Sequence, residues 1–315
     1  MRAFRGVPLI DLSGDPLLVG KALRRACTEV GFFQLIGHNV PTALTNGILR
    51  EASDFFARPQ AEKEQISIRN SSTYRGYQRV HENVTGNKPD SHEAIDLYSE
   101  SPLAHRASGG HFGRNQWPLH PAGLQPTVEA YVHEMSRVGT TIMQALAGSL
   151  ELPRDHFQPF YNDPFWCVRL IRYEPSNHHL GVGTHTDYGC LTLVHADDTP
   201  AMLQAQNIDG EWITVEPVPG AFTCNVGDML ARWTNGLFAS TPHRVLPPPE
   251  GSSRISVPFF FEPNYTALIE PIPQCCKLTD APPRFAPLMY GDHLLAKTST
   301  NFAMPTENCG QYVES

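Results

Sequence analysis

His185-Thr186-Asp187 sets two metal-capable side chains two residues apart, and His243 and then Arg254-Ile255-Ser256 follow further along the chain. In a strand, residues i and i+2 point to the same face. His185 and Asp187 would therefore aim at one point, and a neighbouring strand could bring His243 across to join them. Two imidazoles and one carboxylate form a facial set that suits Fe(II) and leaves coordination positions open, enough for a bidentate 2-oxo acid and O2. Zinc would instead ask for four closed tetrahedral ligands, or for three protein ligands and a water. Arg254 and Ser256 share a face by the same period of two. A guanidinium is a fixed fork that matches a carboxylate, and the serine adds a hydroxyl. Taken singly, each residue has a plainer role: His243 as a satisfied core imidazole, Arg254 as a strand-surface cation. Taken as an ordered set, they describe a site for ferrous iron and a dicarboxylate cosubstrate.

The elements that must position this set are readable in outline. The chain has 315 residues, 41% hydrophobic and 18% charged, with 28 Pro and 24 Gly, which suits many turns between short strands. Val7 to Leu12 reads as an opening strand, Asp15 to Val30 as a helix, and Gly31 to Ile36 as an apolar strand-like run. Leu44 to Phe56 and Ala61 to Ile66 read as helical, and Pro126 to Leu152 as the clearest helix, with Tyr131, Met135, Val138 and Ile142 on one stripe. Ser71 to Gly113 is polar and turn-rich and is expected to be irregular. After Pro164, short β-branched and aromatic runs recur between turn signals, which argues for a sandwich or barrel. The expected architecture is one domain over 1–315. It comprises a helical and irregular region over 1–120, a β core with the metal site over 160–265, and a C-terminal helix and tail over 266–315.

The formal net charge of −8, with no basic run, argues against nucleic-acid or anionic-membrane partners. No window approaches the roughly 18 apolar residues of a spanning helix. The first residues lack the apolar stretch of a signal peptide. Seven cysteines, odd in number and without C-x-x-C spacing, read as reduced thiols. A cytoplasmic monomer acting on a small molecule is expected.

The runs Gly183 to Leu193, Asn225 to Leu230, Trp233 to Gly236, Ser240 to Leu246 and Arg254 to Phe260 resemble the isopenicillin-N-synthase-like superfamily. That superfamily includes the Fe(II)/2-oxoglutarate dioxygenases. Val7 to Leu12, Gly31 to Pro41 and Tyr74 to Tyr77 fit its N-terminal signature, so the likeness spans nearly the whole chain. The resemblance implies an α+β fold with a double-stranded β-helix (jelly-roll) core and flanking helices, and iron on His185, Asp187 and His243. It also implies 2-oxoglutarate with its 5-carboxylate on Arg254 and Ser256, helped by Tyr173. Many plant members carry Asn where this chain has Ile171, so one polar cosubstrate contact is expected to be missing. Met202-Leu203-Gln204 stands where Gly-Leu-Gln is usual, a packing change. The implied chemistry is O2 activation, conversion of 2-oxoglutarate to succinate and CO2, and oxidation, most often hydroxylation, of a small organic substrate.

Three rival readings stand beside it. One is an isopenicillin-N-synthase-type oxidase that uses no oxo acid; another is an ethylene-forming-type enzyme; the third is an inactive jelly-roll binding protein. Candidate substrate residues are Arg169, Tyr77, Tyr188 and Phe259, drawn from the segments expected to wall the pocket. Glu82, Glu93, His178, His179 and His195 read as solvated groups.

Overall fold

The computed structural model describes residues 4–100, 111–200 and 202–301; the tail beyond residue 301, with Cys309, lies outside the described residues. In chain order the first elements are strand β1 (Leu9–Asp11), helix α1 (Pro16–Glu29), β2 (Phe32–Ile36), α2 (Thr42–Phe56), a short α3 (Gln60–Lys63) and β3 (Gly76–Gln78). A hairpin of β4 (Val84–Thr85) and β5 (Lys88–Pro89) leads to β6 (His92–Tyr98) and the long helix α4 (Leu124–Ser149). Then come β7 (Cys167–Tyr173), β8 (Val182–His185), β9 (Leu191–Ala196), β10 (Leu203–Gln206), β11 (Trp212–Thr214) and β12 (Phe222–Val226). A short α5 (Asp228–Trp233), β13 (His243–Val245) and β14 (Arg254–Phe261) complete the core. Helix α1 starts where the sequence supplies a stop and a cap: Asp15 accepts from the Leu17 and Leu18 N–H groups, and Pro16 opens the first turn.

Eight strands form a major sheet in the order β1-β2-β12-β9-β14-β7-β6-β3, and four form a minor sheet in the order β11-β10-β13-β8. The two face each other as a jelly roll. Ala94, Ile171 and Tyr173 of the major sheet pack with Val245 of the minor one and with Met202, just before β10, and the Phe32 and His243 rings meet at 5.2 Å. The helices cover the other face of the major sheet. Along β14, Ile255, Val257, Phe259 and Phe261 join the core that includes Tyr131, Met135 and Val138 of α4. Gly139 lets α4 approach closely, since a Cβ there would stand 2.6 Å from the Phe261 ring. The Tyr131 hydroxyl donates to the Val257 carbonyl at 3.1 Å. Arg254, Ser256 and Phe260 point the other way, into the sandwich, as the two-residue pleat requires.

Two expectations change here. The stretch 71–113 is not simply irregular: β3 and β6 lie in it, and β6 is buried at every position. Its composition conceals a strand because its acids are matched inside the fold. Glu93 pairs with Lys63 at 2.7 Å and Arg172 at 2.5 Å, and Asp96 pairs with Arg169 at 2.7 Å. Glu93 is therefore not a solvated charge. Tyr77 is not a substrate contact either. It faces the helices, 1% exposed, with its hydroxyl on Glu93 and its ring edge-on to Phe55.

Truncating one member of a buried ion network leaves its partners charged and unpaired. Glu93→Ala is expected to cost about 3–5 kcal/mol, read as a lowered urea midpoint. The volume-matched double replacement Lys63→Met with Glu93→Leu should fall closer to wild type.

Candidate metal centre and active site

The register of β8 and β13 brings the metal-capable residues together. His185 lies directly opposite His243 across this antiparallel pair, and the ring centroids are 4.2 Å apart. Asp187 follows two residues past His185. Its Oδ1 stands 3.7 Å from the Nε2 of His185 and 3.7 Å from the Nε2 of His243. One ligand atom from each of the three residues lies within 4.8 Å of the others.

The surrounding hydrogen bonds fix which atoms are offered. His185 Nδ1 meets the Gly183 carbonyl at 2.8 Å and His243 Nδ1 meets the Thr241 carbonyl at 3.1 Å. A carbonyl only accepts, so each Nδ1 carries the proton and each Nε2 keeps its lone pair for a metal. Asp187 Oδ2 accepts from Asn225 Nδ2 at 2.6 Å and from the Thr192 hydroxyl, which leaves Oδ1 for coordination. Burial, helped by His243, lowers the His185 pKa to about 4, so the ring is neutral near pH 7. Burial alone would raise Asp187, but the two histidines and the Asn225 and Thr192 donors outweigh it and hold the carboxyl below its ordinary value. Two imidazole nitrogens and one carboxylate oxygen on one side of a point fit an octahedral divalent ion such as Fe(II) with open positions.

A cavity of about 400 Å³ opens beside this set, and Asp96, Arg169, Asp187, Tyr188, Phe260 and Glu262 are among its walls. Arg169 is held on its Nε side by Asp96 and through Nη2 by Asn83 at 2.9 Å. The pleat puts Phe260 at the cavity and Phe259 among the helices, so the expectation for Phe259 is off by one residue. Tyr188, expected as a substrate contact, does line the cavity.

Arg254 lies further along the sandwich, on a second cavity of about 320 Å³ that also touches Met202 and His195. It is 7% exposed, with its guanidinium carbon 5.3 Å from the centroid of Tyr173, its cross-strand partner. It forms no ion pair within 4.0 Å among the described residues. Such a buried cation calls for an anionic ligand. Ser256, on the same face of β14, is buried opposite Ile171. His195 is buried too, with Nε2 unpartnered, and is not the surface group expected.

Sequence reasoning missed four residues. Asn225 and Thr192 orient Asp187. Asp90 accepts from the Gly183 N–H at 2.9 Å and from Thr85 at 2.8 Å, and so positions β8. Glu262, on the cavity wall, carries a carboxyl whose pKa burial pushes up to about 8, even against the Tyr290 hydroxyl, with Asp187 and Asp228 adding to the rise. Period-two reading from Arg254 could have found Phe260. No sequence signal marks Glu262.

A jelly roll carrying a His-Asp-His set beside a cavity defines a non-haem iron oxygenase architecture, and the comparisons agree. Residues 164–263 match the 2OG-Fe(II) oxygenase superfamily, and residues 7–120 match the family described as non-haem dioxygenase in morphine synthesis N-terminal. A homoarginine-6-hydroxylase of Oryza sativa subsp. japonica is 39% identical over 327 residues, 96% of this chain and 99% of that protein. A 2OG-Fe(II) oxygenase family protein from Caulobacter crescentus superposes with a TM-score of 0.83 at 26% identity, over 94% of this chain and 99% of that one. JOX2, crystallised with 2OG, Fe and JA, gives a TM-score of 0.80 at 28% identity, covering 92% and 84%.

The chain belongs to the 2OG-Fe(II) oxygenase superfamily. It is an Fe(II)- and 2-oxoglutarate-dependent oxygenase of the hydroxylating kind, which sets aside the oxidase without an oxo acid and the inactive binding protein. No helix among the described residues is long and apolar enough to cross a membrane.

Two outcomes follow from this geometry. Asn225→Ala should free Asp187 to rotate and weaken divalent-metal binding by about 10- to 100-fold, measured by anaerobic calorimetry with Mn(II). Glu262, whose folded pKa of about 8 exceeds the ordinary 4.5, favours folding fully only below 4.5 and loses that contribution as pH rises to 8. In the metal-free protein, the stability of Glu262→Gln relative to wild type should therefore climb between pH 4.5 and 8 and level off above. A difference in Tm that stays flat across that window would refute the assignment.

Proposed function

We propose that the enzyme hydroxylates a guanidino amino acid of the homoarginine type, with residues 1–315 acting as one catalytic unit. The observation that carries this reading is the 39% identity to a homoarginine-6-hydroxylase sustained over 96% of the chain. The cavity adds support, since it presents buried acids and an arginine within one space, as a zwitterion with a cationic tail requires. In this reading His185, Asp187 and His243 hold Fe(II), and Arg254 and Ser256 hold the far carboxylate of 2-oxoglutarate, with Tyr173 packed on the guanidinium. The metal, when bound, couples O2 reduction and 2-oxoglutarate decarboxylation to oxidation of a substrate C–H bond.

The chain's own residues do the rest. Asn225 and Thr192 keep one Asp187 oxygen facing the metal position. The carbonyls of Gly183 and Thr241 hold the imidazole protons on Nδ1. Arg169, whose Nη1 has no hydrogen bond among the described residues, orients the substrate carboxylate, while Tyr188 and Phe260 wall the reacting carbon. The protein works as a cytoplasmic monomer on a small molecule.

Purified enzyme given Fe(II), 2-oxoglutarate and homoarginine should release succinate and yield a product one oxygen heavier; no homoarginine-dependent succinate would sink the substrate assignment. His243→Ala is expected to abolish succinate formation. Arg254→Ala should retain it while raising the 2-oxoglutarate KM by roughly 10- to 100-fold, the loss of a charge-assisted hydrogen-bonded pair.

A further inference from the structure

Glu262 follows β14 directly, between Phe261 and Pro263, and is 4% exposed. The Tyr290 hydroxyl and the Cys190 N–H donate toward its carboxyl group, yet Oε2 has no hydrogen-bond partner and the carboxyl no ion pair among the described residues. Leaving a buried polar atom unmatched costs on the order of 1–3 kcal/mol. The carboxyl rests directly on Gly189, where any Cβ would overlap Oε2. Gly189 is two residues past Asp187, so this acid stands beside the metal-binding set.

Among the described residues four acids line the cavity: Asp90, Asp96, Asp187 and Glu262. Asp90 is taken by Thr85 and the Gly183 N–H. Asp96 is taken by Arg169 and Gln78. Asp187 stands between the imidazoles. Glu262 alone of the four keeps a buried oxygen unmatched among the described residues.

We propose that Glu262 binds the cationic head of the substrate and thereby sets which carbon is oxidised. The assignment rests on the guanidino-substrate reading above. In homoarginine, carbon 6 carries the guanidino nitrogen, so the carbon to be oxidised and the cation are neighbours. The anion that recognises this cation must then sit next to the metal set and not on the far wall. Glu262 meets that requirement through its contact with Gly189, while Arg169, paired with Asp96 on the major sheet, is left for the carboxylate end. A guanidinium fork supplies the donors that Oε2 lacks and a charge that no ion pair among the described residues gives it. A neutral urea head can donate a hydrogen bond but brings no charge, and a buried carboxylate left without a counter-ion disfavours it.

Calorimetric binding to the full-length enzyme loaded with Mn(II) and 2-oxoglutarate tests this, using homoarginine and its uncharged isostere homocitrulline, in which urea replaces guanidinium. Wild type should prefer homoarginine. Glu262→Gln should raise the homoarginine Kd by roughly 10- to 100-fold without raising that for homocitrulline, so the preference collapses. Glu262→Asp, which keeps the charge, should retain the preference at reduced affinity. A merely structural Glu262 would weaken both ligands alike in both variants, and that result, like unchanged homoarginine binding in Glu262→Gln, overturns the assignment while leaving the substrate reading intact. Wild type that binds no homoarginine overturns both.

Discussion

A single carboxylate organises the site. Asp187 is buried between two imidazoles and would be costly as an anion were it not held by donors on one oxygen and by partial or full positive charge at the other. Asn225 and Thr192 supply the donors, from β12 and β9 of the major sheet. The imidazoles come from β8 and β13 of the minor sheet. The centre therefore draws on both layers of the sandwich, and its geometry is only as good as their packing. The apolar cluster of Ala94, Ile171 and Tyr173 from β6 and β7 with Val245 of β13 and Met202, just before β10, supplies part of that packing. Ile171 belongs to this cluster. The position where the resemblance led one to expect an amide is used here for packing between the sheets.

The pleat of the major sheet separates stability from chemistry. On β14, odd residues face the helices and even residues face the cavities, so Phe259 and Phe260 have unrelated duties despite being adjacent. On β6 and β7 the same alternation sends Ile95, Leu97, Val168 and Leu170 to the helix core, and Asp96 and Arg169 to the cavity wall. Asp96 and Arg169 are register partners, so their ion pair is a cross-strand contact that keeps the arginine extended along the wall while leaving one edge of its guanidinium for a ligand.

How far the sequence could be read follows from these physics. The metal set was legible because its residues are chemically specific and two of them are fixed by a spacing of two. That Arg254 and Ser256 share one face of β14 was legible from the same spacing of two. Helix α4 announced itself by a long apolar stripe. Strand β6 did not, because its polar residues look solvated until Lys63, Arg172 and Arg169 are placed against them, and those partners are distant in sequence. Tyr77 was misread for the same cause: its hydroxyl serves Glu93 inside that network. Glu262 could not be read at all. A glutamate before a proline suggests an exposed turn, and only the approach of Gly189 from the bend between β8 and β9 reveals it as a buried wall of the cavity.

Arg254 and Glu262 share an unusual condition. Each is a buried ionisable group of the jelly-roll interior that the described protein leaves without a counter-ion, one on each cavity. Natural folds seldom tolerate this, because the desolvation of a charge is repaid only by a well-placed partner. For Arg254 the proposed cosubstrate carboxylate would meet the need, and an arginine remains charged whatever its surroundings, so the position is permanently ready for an anion. Glu262 differs in that a carboxyl can take up a proton and wait in neutral form, which its elevated pKa of about 8 reflects. The two ends of the interior are thus prepared in different ways, a standing cation at Arg254 and an acid at Glu262 that can be held neutral, which is what the proposed cosubstrate and substrate roles ask of them. A fold that serves many oxidations can keep the first constant and vary the second, since Glu262 lies one residue beyond β14 and altering it need not disturb Arg254 or Ser256.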